Sequence, residues 1–100
     1  MNTRITYARA RELVEAEIAA ISHNVKGGLV IVEDKIITKP YGWIFVYTGK
    51  LWLETRDIAH AIAGNAPVVV LAETGEIIEL GTARSVAEEV AAFERDRGFV

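Results

Sequence analysis

The sequence predicts a single α+β domain over residues 1–100, an antiparallel sheet of about four strands with a helix at each end. Three observations carry this. Amphipathic helical periodicity is confined to the two ends of the chain. Between them, β-branched and aromatic runs follow one another with turn residues in the gaps, the pattern of hairpins rather than of parallel crossovers. In the middle lies Tyr41-Gly42-Trp43-Ile44-Phe45-Val46-Tyr47, inside a window from Tyr41 to Trp52 that holds five of the eight aromatic residues. Read with period two, Tyr41, Trp43, Phe45 and Tyr47 point one way and Ile44 and Val46 the other. Both faces are apolar, as in a strand at the centre of a sheet that is covered on each side.

The order that results is α-β-β-(α)-β-β-α. Tyr7, Ala10, Val14, Ile18 and Ile21 form one apolar stripe, with Arg9, Glu12 and Glu15 off it and Thr3 or Thr6 as the cap. Gly27-Gly28 stop this helix, because paired glycines are costly inside one. Leu29 to Thr38 reads as one long strand kinked near Asp34, or as two short strands. Lys39-Pro40-Tyr41-Gly42 then reverses the chain into the aromatic strand. Thr48-Gly49-Lys50 is a turn or bulge before Leu51-Trp52-Leu53-Glu54, and Thr55 or Asp57 caps a short helix carrying Ile58, Ala61 and Ile62. Pro67 to Ala72 and Ile77 to Leu80 form a second hairpin about the turn Glu73-Thr74-Gly75-Glu76. Ser85-Val86-Ala87-Glu88 has the form of a capping box for a last helix that buries Val86, Val90 and Phe93, with Arg95 and Arg97 complementing its dipole before Gly98.

Composition narrows the function classes. With 51% hydrophobic residues the chain is expected to fold. Its longest apolar run, Ala66 to Ala72, is seven residues, against roughly 20 needed to cross a bilayer. Without a signal-like start, the expected compartment is the cytoplasm. Eleven Lys and Arg against 14 Asp and Glu give a net charge of -3 with no basic block, which disfavours nucleic acid as a partner. The absence of cysteine removes disulfides, thiol nucleophiles and thiolate metal sites.

Residue chemistry offers little for catalysis. Asp57 and His60 stand three apart, near Glu54, but helix capping and a surface ion pair explain them equally well, and no zinc-type spacing joins them to His23. Gly27-Gly28 precede a strand, whereas phosphate-binding glycines follow one. Ser85 already serves as a cap. No catalytic residue, metal ligand or cofactor is expected. The aromatic strand is the remaining constellation: Trp43 and Phe45 are read as core, while Tyr47, Trp52 and Glu54, nearer the strand end, are the candidate partner-binding residues.

Gly42-Trp43-Ile44-Phe45-Val46-Tyr47 resembles the Gly-Trp-x-Phe-x-Tyr strand of the bacterial immunity protein 35 family, also called YrhB-type domains. Leu53-Glu54-Thr55-Arg56-Asp57, Ala63-Gly64-Asn65-Ala66-Pro67, Thr74-Gly75-Glu76 and Leu80-Gly81-Thr82-Ala83 continue the resemblance in order over residues 41–83. It implies a non-enzymatic cytoplasmic protein that binds and neutralises a cognate toxin, with Gly42, Trp43, Phe45, Gly64, Asn65, Pro67, Gly75 and Gly81 as mainly structural motif residues. Two other readings compete: a chaperone-like or scaffold domain acting through apolar patches, and an enzyme using His60 with Asp57 or Glu54. Homo-oligomerisation through an edge strand is compatible with each.

Overall fold

The computed structural model describes residues 4–22, 27–56, 66–81 and 84–99. Helix α1 spans Tyr7–Ser22, strand β1 Leu29–Ile31, and a 3-10 turn Glu33–Lys35 leads to β2, Ile37–Lys39. The long strand β3 is Gly42–Gly49, followed by helix α2, Lys50–Thr55. Strand β4 is Ala66–Leu71, β5 is Ile77–Glu79, and helix α3 is Val86–Arg97. The expected α+β architecture stands: five strands form one open antiparallel sheet with helices at both ends of the chain.

β3 is the spine of that sheet. Along one edge it pairs first with β2, from Lys39↔Gly42 to Ile37↔Ile44, and then with β1, from Ile31↔Tyr47 to Leu29↔Gly49. Along the other edge it pairs with β4 from Gly42↔Leu71 to Tyr47↔Ala66, and β4 pairs in turn with β5. The segment 29–39 is therefore two short strands in one row. The 3-10 turn at Glu33–Lys35 takes up the extra residues between them, as a bulge does. Four rows are filled by five strands, which reconciles the expected number with the observed one.

Both faces of β3 are covered, as its double apolar alternation requires. On one side Phe45, Tyr47, Val68 and Val70 pack against Ala10, Val14 and Ile18 of α1. On the other Ile44 and Val69 pack against Val90 and Phe93 of α3. The α1 stripe thus does what its spacing predicts, with Tyr7 and Ile21 at its exposed ends. Thr6 is the observed cap: its Oγ1 accepts from Arg9 N at 3.1 Å. α3 carries a complete capping box. Ser85 Oγ accepts from Glu88 N at 3.2 Å, and Ser85 N donates to Glu88 Oε1 at 3.1 Å. Ser85→Ala removes one half of that pair and is expected to cost about 1 kcal/mol, read as a lower thermal midpoint.

Three local expectations are corrected. Thr48-Gly49 do not turn: they complete β3, because β1 supplies partners as far as Gly49. Thr55 does not cap the start of a helix: it is the last residue of α2, which Arg56 in the left-handed conformation (φ 57°) closes through its N–H to Trp52 O. The helix expected over Ile58, Ala61 and Ile62 lies outside the described residues. Finally, Tyr41 does not share a face with Trp43 and Phe45. It sits in the two-residue turn before β3 begins, and its ring packs with Phe93 and Phe99 on the α3 side.

Candidate functional site

Of the three candidate partner-binding residues, Tyr47 is buried, with 8% of its surface exposed. The expectation of an exposed strand end fails because β3 is flanked on both edges here, Tyr47 lying between Ile31 of β1 and Ala66 of β4. Its phenol donates to Glu79 Oε1 at 3.0 Å. Burial, reinforced by that carboxylate, pushes the phenol up to about 12, so it remains a neutral donor at physiological pH. Tyr47→Phe keeps the ring and deletes the bond, and is expected to lower stability by about 1 kcal/mol in chemical denaturation. Trp52 is half-buried in α2 with the Arg56 guanidinium 5.6 Å from its ring centre, and Glu54 is exposed. The three residues do not make one exposed surface.

The motif residues that are described lie in the sheet, its turns and the segment before α3. Gly42 lies where β4 approaches β3 closely: an added Cβ would stand 2.0 Å from Val70 O. Phe45 is fully buried, whereas Trp43 is only half-buried, at the rim of the same core, edge-on to Tyr7. Pro67 sits near the start of β4, where its missing N–H costs little and its carbonyl accepts from Leu80 N at 3.0 Å. Gly75 lies in the β4–β5 turn, and Gly81 leaves room for the Glu89 carboxylate, which is paired with Arg84 at 3.1 Å. Gly64, Asn65, Asp57, His60 and His23 lie outside the described residues. Among the described residues no group of three His, Cys, Asp or Glu could hold a metal ion, and no helix is long and apolar enough to cross a membrane.

Two concave surfaces emerge that the sequence did not announce. The first, about 460 Å³, runs between α1 and β1. At its head Arg11 grips the Glu33 carboxylate with both terminal nitrogens, Nη1 reaching Oε1 at 2.8 Å, and donates through Nε to Glu15 at 2.7 Å. Arg11 is held still further above its already high range by Glu33, and its guanidinium holds the Glu33 carboxyl below the ordinary range. Ile18, Ala19 and Leu29 form the apolar part of the groove. The acids of Glu33-Asp34-Lys35 are the trace of this site in the sequence, but nothing there shows that Arg11, 22 positions away, would meet them.

The second concavity, about 500 Å³, is bordered by Arg4, Lys39, Tyr41, Glu94 and Phe99. Tyr41 and Phe99 stack with centroids 4.4 Å apart. The Tyr41 hydroxyl donates to Glu94 Oε2 at 2.9 Å, and Lys39 Nζ is 3.1 Å from the same oxygen. Tyr41 first, and Lys39 second, hold the Glu94 carboxyl below its ordinary value. A depressed carboxyl stabilises the fold above its unfolded-state pKa, about 4.3, and the gain is lost as pH falls through the lower folded value. Thermal midpoints of the wild type are therefore expected to fall more steeply below pH ~4.3 than those of Glu94→Gln, which has no such carboxyl to protonate.

The family model described as immunity protein 35 matches residues 7–94. The chain belongs to that family. It is also similar to the uncharacterized protein YrhB of Escherichia coli (strain K12), with 42% identity over 53 residues, which is 53% of this chain and 56% of YrhB. The chain thus spans little more than half the length of that curated relative. No solved structure matches it at a significant level.

Proposed function

We propose that this chain is an immunity protein that acts without catalysis, binding a cognate bacterial toxin in the cytoplasm and blocking it by occupying its surface. Membership of the immunity protein 35 family over residues 7–94 is the observation that carries this reading. The architecture is compatible with it: a covered sheet held by two helices offers rigid surfaces, which keeps the ordering cost of association low. A chaperone-like role through apolar patches has less support. The large apolar side chains exposed among the described residues are Tyr7, Ile21 and Phe99, and the rings of Tyr7 and Phe99 are stacked on Phe45 and Tyr41. The experiment is co-expression with the product of a toxin-like gene found adjacent to the one that encodes this chain. Restored growth together with a purified one-to-one complex is the expected result, and toxicity undiminished by a well-folded, abundant chain would overturn the reading.

A further inference from the structure

The groove between α1 and β1 is bounded by an unfinished sheet edge. Val32 N donates to Val46 O at 2.7 Å and Lys50 N donates to Gly28 O at 3.0 Å. In an antiparallel ladder the residues that bond inward alternate with those that do not. Gly28, Val30 and Val32 therefore face β3, and Leu29 and Ile31 turn their backbone groups away from it. Leu29 N is taken by Ser22 Oγ at 2.8 Å, an approach made possible by Gly28, which has φ +82° and no Cβ to meet that oxygen. Leu29 O, Ile31 N and Ile31 O have no partner among the described residues. A row of unpaired backbone groups beside a groove is a template for another strand.

We propose that an extended segment of the toxin adds to the sheet along β1, a step that rests on the immunity reading above. A residue opposite Ile31 exchanges both backbone hydrogen bonds with it, and the segment donates a third to Leu29 O. Alternate side chains of the added strand then point into the groove. Those near Leu29 meet Ile18 and Ala19 and are apolar; those at the other end meet Glu15 and Glu33 and are basic. Arg11 is one cation shared between two carboxylates, so this end of the groove keeps an excess negative charge that a Lys or Arg of the partner complements. The same charge argues against a second copy of this chain as the occupant. An isologous β1–β1 contact would set the same acidic groove against itself.

Ile31→Pro is the direct test. Proline deletes the outward N–H and blocks strand addition while leaving the inward bonds of Val30 and Val32 in place. Titration of the toxin domain from such an adjacent gene into the purified chain is expected to show binding weakened about 100-fold or more by Ile31→Pro, and about tenfold by Glu15→Lys at an exposed site. Wild-type binding by a folded Ile31→Pro would overturn the inference and leave the immunity reading standing, whereas no binding by the wild type would overturn both. If Ile31→Pro does not fold, amide exchange of the wild type decides: slowed exchange at Ile31 in the complex supports strand addition, and unchanged exchange refutes it. Sedimentation of the wild type alone gives one more arm. A dimer that Ile31→Pro dissociates would assign the edge to a second copy and overturn the toxin as its occupant.

Discussion

Gly42→Ala is expected to lower stability by about 3 kcal/mol, a fall of more than ~10 °C in thermal midpoint for a domain of this size. The added methyl would sit 2.0 Å from Val70 O and 3.0 Å from Val70 C. These are backbone atoms of the neighbouring strand, so no rotamer change relieves the contact. β3 and β4 must move apart at the register pair Gly42↔Leu71, where the hairpin from β2 also ends. The φ of +155° adds a further cost for any residue with a Cβ. Gly98→Ala is the matched control. Gly98 also has a positive φ, +72°, but an added methyl meets nothing within 4 Å. The control is expected to cost about 1 kcal/mol, the penalty of a left-handed cap alone. Equal midpoints for the two variants would mean that the close approach of β3 to β4 is not a constraint on this fold.

The same residue shows how far the sequence could be read. A glycine ahead of an aromatic strand marks a turn, and that much was legible. The need for glycine comes from Val70, 28 positions later, which no local pattern reveals. Periodicity located α1, the central strand, the second hairpin and α3, because each buries a face whose repeat is visible along the chain. It failed where tertiary pairing decides local structure. Thr48-Gly49 look like a turn by composition, yet β1 holds them in the ladder. Tyr41 fits the alternation of β3, yet it belongs to a turn and packs on the opposite side.

The candidate surfaces were less legible still, for the same reason. Tyr47 reads as a partner contact because it is an aromatic residue near a strand end; its burial depends on which strands lie beside it, and both neighbours are distant in sequence. The groove at β1 depends on Arg11, Glu15 and Glu33 meeting, and on Ser22 reaching Leu29. Each residue taken alone reads as an ordinary surface polar group. An open sheet edge is a property of topology, so it could be named from sequence only as something the sheet must possess somewhere.

Phe45→Ala is expected to have the largest effect of any truncation in the α1-side core, about 3–5 kcal/mol. The ring is fully buried at the centre of β3, stacks against Tyr7 at 5.8 Å between centroids, and lies in the cluster that joins Ala10, Val14 and Ile18 to Val68 and Val70. Removing it leaves a void between helix and sheet that neither backbone can close. Domains of this size are stable by about 5–15 kcal/mol, so the loss is a large share of the whole. Trp43→Ala should cost less, because Trp43 is already half-exposed at the rim. Urea midpoints of the three proteins test the ranking, and a Phe45→Ala midpoint at or above that of Trp43→Ala would contradict this packing. The functional consequence separates core from surface. On the immunity reading proposed above, Phe45→Ala should lose protection against toxin at 37 °C through lower abundance and regain it on cooling, since its β1 edge is untouched. Ile31→Pro should fail to protect at both temperatures. On that reading a buried aromatic residue of the family motif acts through abundance and an edge residue through contact, and temperature is the variable that distinguishes the two cases.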